Sequence, residues 1–249
     1  MRTLFVTATI CSLFFFTSAE GQDASVLIRK ADQLDAQERT DDAIEALKQA
    51  EKISPNNPIL LIKLSQDYSD KIDEAKDRSQ KLNFAKLSLE YAKKAVREAP
   101  DNAEAHVCLS IAYGKMTDFT DNKTKMEYSK IVKSEAEKAV ELNPKNDMAL
   151  LILARWNFDM ATLNPILKAI AQTMYGQLPP ASKDLAIEYF QKAIAAAPEK
   201  IIHHAEYAQA LETMGKTKEA RAEWLRVKQL KPTDAEDRRY LAEAEQKLK

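Results

Sequence analysis

The chain has 249 residues, 45% of them hydrophobic and 30% charged, with four Gly and nine Pro. Its 37 basic and 38 acidic residues nearly cancel to a net charge of −1, which argues against nucleic acid or an anionic membrane surface as partner. Few glycines, abundant Ala, Leu, Lys and Glu, and no alternating apolar run exclude a sheet protein and point to an all-helical one.

In chain order, the first 19 residues stand apart. Arg2 precedes a mainly apolar run from Leu4 to Phe16, and Thr17-Ser18-Ala19 supplies the small residues of a cleavage site. The run is shorter than the roughly 20 residues that cross a bilayer, so it reads as an export signal. The expected product, 20–249, is periplasmic or secreted and keeps no transmembrane segment. Cys11 lacks small residues before it, so no lipidation is expected. Cys108 then remains alone, in the apolar helical phrase HVCLSIAY, and reads as a buried core thiol.

The rest of the chain repeats itself. ALKQAEKISPNNP (46–58) recurs as YAKKAVREAPDN (91–102), EAEKAVELNPKN (135–146), FQKAIAAAPEK (190–200) and WLRVKQLKPTD (224–234), each copy closing a helix at a proline. Phasing on the prolines gives repeats at 24–57, 58–102, 103–146, 147–200 and 201–234, followed by an amphipathic capping helix over 235–249. The first and last repeats have a 34-residue length. Ala31, Ala43, Leu47 and Ala50 in the first match Ala208, Leu211, Gly215, Ala220 and Trp224 in the last: the small residues Ala31, Ala43, Ala208 and Ala220 stand where two antiparallel helices must approach, and the larger Leu47 and Trp224 fill the space towards the next pair. This is the pattern of tetratricopeptide repeats. It predicts an all-α, right-handed superhelix, an α-solenoid of five helix pairs. Asp23 is a candidate N-cap for the first helix.

Repeats 2 and 3 carry extra residues between their helices without Gly or Pro, in DKIDEAKDRSQKLNFAK and TDFTDNKTKMEYSKIV, which predicts longer helices. Asn122-Lys123-Thr124 matches a glycosylation acceptor and is expected to lie in an unmodified loop. Repeat 4 holds a larger insertion, in which Asn164 caps and Pro165 starts a short helix, PILKAIAQTMY, ending at Gly176. Either it closes one end of a groove or it packs over the core.

Arg155-Trp156, Leu163 to Ile170, the run Met174-Tyr175-Gly176-Gln177-Leu178-Pro179-Pro180, and Ala186 to Ala193 together resemble the regulator of microtubule dynamics protein family. In that family Gly-Arg-Trp precedes an inserted helix and a Phe-Gly-x-Pro-Pro element; here Ala154 replaces the Gly and Tyr175 the Phe. The resemblance is specific over 147–200 and generic over 58–146. It implies a helical-repeat fold, and in some eukaryotic members a role at microtubules or at organelle contacts, with lipid binding. An exported chain does not meet cytoplasmic microtubules, so the fold is expected to carry over and that activity is not.

Catalysis finds no foothold: there is no phosphate loop, nucleophile elbow or metal-ligand spacing, and no cofactor is expected. His203 and His204 are neighbours that a helix turns about 100° apart, and His106 lies in another repeat, so they read as surface or packing residues. The concave side of such a stack is lined by first helices, through their second, fifth, ninth and twelfth residues. In repeats 2 to 4 this gives a binding groove centred on Ile62, Gln66, Val107, Ile111, Met148, Leu151, Arg155 and Phe158. An apolar middle with one arginine suits a protein or peptide partner, or alternatively a small apolar anion such as a fatty acid or phospholipid.

Overall fold

The computed structural model describes residues 18–176 and 180–249, which are helical with no strand among them. The fold is an all-α, tetratricopeptide-like solenoid. The export segment and the Gln177–Pro179 stretch of the family motif lie outside the described residues. The chain divides into two compact units, Met1–Pro55 and Asn56–Lys249.

In the first unit, α1 (Ser18–Asp35) packs on α2 (Thr40–Ile53). Ala24, Ile28, Ala31 and Leu34 meet Ala43, Ala46, Leu47 and Ala50, all buried, at the three- and four-residue spacing of one helix face. Asp23 is no cap: α1 already runs from Ser18, because nothing between them breaks a helix strongly. The turn into α2 closes by Arg39 N–H donating to Leu34 O (3.0 Å), which requires Glu38 at φ 58°. In the last helix pair Gly215 takes the same place at φ 75°, with Lys216 N–H on Leu211 O (2.9 Å). A side chain in the left-handed region costs about 1–2 kcal/mol, partly offset by glycine's looser unfolded state. Glu38→Gly should therefore stabilise the first unit by about 0.5–1 kcal/mol, read as slower amide exchange in α1 and α2.

The second unit contains α3 (Pro58–Glu74), α4 (Arg78–Glu98), α5 (Ala103–Met116), a 3₁₀ turn (Thr117–Phe119), α6 (Asn122–Leu142), α7 (Asp147–Thr162), α8 (Pro165–Tyr175), α9 (Lys183–Ala196), α10 (Ile201–Thr213), α11 (Thr217–Gln229) and α12 (Ala235–Lys247). Proline punctuation explains the breaks. A residue before proline is driven out of the helical region, and Ala99, Asn143 and Ala197 sit at φ −140 to −145° with ψ 71–95° directly before Pro100, Pro144 and Pro198. Two residues after their prolines, Asn57, Asn102, Asn146 and Asp234 cap the following helix by accepting its first free N–H groups. Lys200 occupies that place before α10 and gives no side-chain cap.

Close approach within each pair needs a small residue, and Ala31, Ser65, Ser110, Ala154 and Ala208 fill that position at 0–1% exposure. The two serines satisfy their hydroxyls on the facing helix: Ser65 Oγ donates to Ser88 O (3.0 Å), Ser110 Oγ to Val132 O (2.8 Å), and Ser88 Oγ returns a bond to Ser65 O (2.9 Å). Cys108 is buried, and its burial pushes the thiol up to about 12, Glu104 and Asp70 adding to the rise, so it is inert.

Repeat 2 extends both helices, whereas repeat 3 does not. There α5 keeps 14 residues and the extra length goes into the 3₁₀ turn and the 21-residue α6. The break comes from side chains rather than Gly or Pro: Thr117 Oγ1 donates to Gly114 O, Arg78 to Asp118 O, and Asp121 caps α6. Asn122 is consequently the first residue of α6 and not a loop residue.

The insertion is anchored by Trp156. Its indole N–H donates to Ser129 O and Oγ on α6 (2.9 and 3.0 Å), and its ring, with Met160, gathers Met126, Val132, Leu163, Ala171 of α8 and Ala181. Asn164 Oδ1 caps α8 and Gly176, at φ 78°, ends it. Finally, α12 lies parallel to α10, one repeat further on: Tyr240, Glu243 and Lys247 bond to Glu206, Gln209 and Glu212. It is the first helix of a further repeat. Arg238, Ala242 and Glu245 lie exposed on its outer face.

Candidate partner-binding face

Within the second unit the first helices touch in sequence, α3 on α5, α5 on α7, α7 on α10 and α10 on α12, while α4, α6, α9 and α11 make no comparable contacts with one another. The stack therefore curves with first helices on the inside. Across that hollow the charges of Asp73 on α3 and Lys115 on α5 reach Glu236 at the start of α12; burial raises the Glu236 carboxyl, with Arg239 opposing it and Asp73 adding to it.

The eight residues expected to line the groove separate by depth. Ile62, Val107 and Leu151 are 8, 2 and 1% exposed, and Ala205 at the matching place of α10 is 0% exposed. The fifth residue of each first helix is thus a wedge in the seam between successive helices and offers nothing to a ligand. Gln66 and Arg155 are exposed, and Ile111, Met148 and Phe158 are half-buried. Phe158 packs against the core around Leu151 and Phe190, one place off the open stripe. That stripe follows the second, sixth, ninth and thirteenth residues, the spacing of one helix face: Met148, Ile152, Arg155 and Asp159 on α7, then Ile202, Glu206, Gln209 and Thr213 on α10.

Arg155 is not a lone cation on this face. Its Nε lies 3.4 Å from Glu206 Oε2, while Glu206 Oε1 accepts the Tyr240 hydroxyl at 2.6 Å. The Tyr240 hydroxyl is pushed well above the usual tyrosine range by burial and then by the Glu206 carboxylate. Asp159 is exposed, yet its carboxyl is raised by crowding from the surrounding protein, opposed by Arg155 and helped by Glu206. Asp159, Glu206 and Tyr240 were missed because the second-fifth-ninth-twelfth spacing passes beside them, and only the packing of one first helix on the next shows that the open stripe is shifted by one residue at its sixth and thirteenth places.

All three histidines are buried packing residues, each against a carboxylate. His106 bridges Glu135 and Pro100 O, and His204 repeats the arrangement with Glu223 and Pro198 O. His203 binds Asp147 at 2.8 Å, and Lys200 Nζ reaches the same oxygen at 2.6 Å, so the uncapped start of α10 is tied to the start of α7 instead. No metal-binding cluster forms among the described residues. Burial would raise the Asp147 carboxyl, but the bonds and charges of His203 and Lys200 prevail and hold it down to about 2. A carboxylate lowered on folding contributes fully above its unfolded value, near 4, and loses that contribution as pH falls through its folded value. Unfolding measured from pH 4 to pH 2 should show about 1–2 kcal/mol of extra acid loss in the parent chain that Asp147→Asn lacks.

The sequence model of the family described as regulator of microtubule dynamics protein 1-3 matches residues 27–249. Regulator of microtubule dynamics protein 1 of Bos taurus is 29% identical over 169 residues, covering 65% of this chain and 51% of the relative. Regulator of microtubule dynamics protein 3 of Xenopus laevis is 24% identical over 184 residues, 73% of this chain and 40% of the relative. The chain thus spans about half, or less, of the length of these relatives. Among solved structures, a thermophilic TPR protein of Thermus thermophilus matches with a TM-score of 0.66 at 20% identity, over 90% of this chain and 99% of that one. Pseudomonas aeruginosa pilF matches with a TM-score of 0.55 at 15% identity, over 93% and 89%. These two likenesses concern the fold.

Proposed function

The chain belongs to the regulator of microtubule dynamics protein family, and on that premise we propose that it is a non-catalytic scaffold whose inner face holds an extended segment or helix of a protein partner. The observation that carries this reading is the open stripe itself. Half-buried Ile111, Met148 and Ile152 alternate with exposed Gln66, Arg155 and Asp159 on helices fixed by the core behind them. Rigid helices bearing apolar and polar side chains in register suit recognition of an extended chain or a helix. A photo-crosslinking residue at Met148 or Gln66 should capture a partner from the native compartment, whereas one at outward-facing Leu225 should not. Adducts formed only from Leu225 would end the reading.

The carrier of an apolar anion has less support. Its anchor, the Arg155 guanidinium, is already engaged by Glu206, and an incoming anion would have to displace that carboxylate beside a second one. Stoichiometric fatty acid or phospholipid in gently purified protein, detected by mass spectrometry, would restore it. We also read Leu4–Phe16 as directing export, with cleavage after Ala19; sequencing the N-terminus of protein recovered outside the cytoplasm tests this.

A further inference from the structure

Ion pairs along the inner face mostly match one cation to one carboxylate. Lys115 bonds Asp73 across α5 and α3 at 2.8 Å, Lys247 bonds Glu212 across α12 and α10 at 2.5 Å, and Arg239 bonds Glu236 within α12 at 2.9 Å. The step from α7 to α10 does not balance. Two carboxylates, Asp159 and Glu206, face one guanidinium, Arg155, which lies against Glu206. Asp159 makes no side-chain hydrogen bond or ion pair among the described residues, and it is exposed to an incoming group. Toward the N-terminus of α7 the same stripe continues through Ile152 and Met148, half-buried and packed on the cluster of Val107 and Ala149. The face therefore offers an apolar shelf followed, two helical turns beyond Ile152, by a carboxylate that makes no ion pair of its own among the described residues and shares the field of Arg155 with Glu206.

Charge complementarity decides the occupant. A cationic side chain placed beside Asp159 gains an ion pair without breaking the Arg155–Glu206 bond, while an anionic group meets two carboxylates. We propose that the α7–α10 step of the inner face binds a protein segment carrying a Lys or Arg beside an apolar residue, the cation on Asp159 and the apolar side chain on Met148 and Ile152. This rests on the inner face being the binding surface and adds the chemistry of its partner.

Selection from a displayed library of random short peptides, run on the full chain, tests both layers separately. Enriched peptides should carry Lys or Arg next to an apolar residue. Asp159→Asn, an exposed change that leaves helicity intact, should weaken their binding about tenfold, the equivalent of one lost ion pair of about 1.4 kcal/mol. Replacing the peptide's cation with Ala should weaken binding to the parent chain similarly and add nothing further in Asp159→Asn. Peptides that are enriched but acidic or neutral, or that bind Asp159→Asn equally well, would overturn the partner chemistry while leaving the scaffold in place. No enrichment on a folded protein would overturn both.

Discussion

Replacing Trp156 with alanine should destabilise the helix stack by about 3–5 kcal/mol, the range for emptying a large buried aromatic site. The ring is 6% exposed and joins three elements: α6 through Ser129 and Val132, α7 itself, and the inserted α8 through Ala171. Lys133 lies over its face at 5.4 Å and shields it from water. Trp156→Phe keeps most of the packing and loses the indole bonds to Ser129, so it should lose only about 1 kcal/mol. Urea titration followed by far-ultraviolet circular dichroism measures both. Hydrogen exchange should show α8 losing protection in Trp156→Ala before α10 and α11 do. If α8 exchanges as in the parent chain, Trp156 is not what holds the insertion.

That anchor also explains the family motif in physical terms. Trp156 stands where the chain leaves the regular repeat, and Ala154 just before it must be small because it is 0% exposed at the closest approach of α7 to α9. Both roles follow from residue size and were legible in the order of small and large residues. The caps were equally legible, since Asn57, Asn102, Asn146 and Asp234 each follow a proline by two residues and supply the side-chain oxygen a helix start requires. The depth of the inner face was harder to read. Ile62, Val107 and Leu151 are apolar whether they line a groove or fill a seam, and composition cannot separate the two. Only the packing of one first helix on the next does so. Charge was the opposite case: Arg155 stood out as a cation among apolar residues, while its partner Glu206 lies in the following repeat, 51 residues away by subtraction of their numbers. The break before α6 depends on a local bond from Thr117 to the Gly114 carbonyl and on a distant one from Arg78, forty residues earlier, to the Asp118 carbonyl, neither of which residue propensities encode.

Reversing the charge at Arg155 should separate the two readings of the inner face by sign. Arg155→Glu would place three carboxylates at the α7–α10 step and remove the cation from Glu206, whose side chain is 14% exposed. The Tyr240 hydroxyl still donates to Glu206, and Arg155 itself is half-exposed, so the stability loss should stay near 1 kcal/mol. Glu206→Gln in the same background should recover most of it, because the repulsion between those two carboxylates is then gone. Binding should respond more strongly than folding. If the site takes a basic segment, two units of added negative charge should tighten it by about tenfold at low salt and less at high salt. If Arg155 instead anchors an apolar anion, the same variant should abolish binding while the melt barely moves. A basic peptide selected on the parent chain and fluorescently labelled fatty acid, each titrated into both proteins, give opposite outcomes. A peptide whose affinity falls in Arg155→Glu while Asp159 is intact would mean that the guanidinium itself makes the contact, and the polarity assigned to this step would have to be reversed.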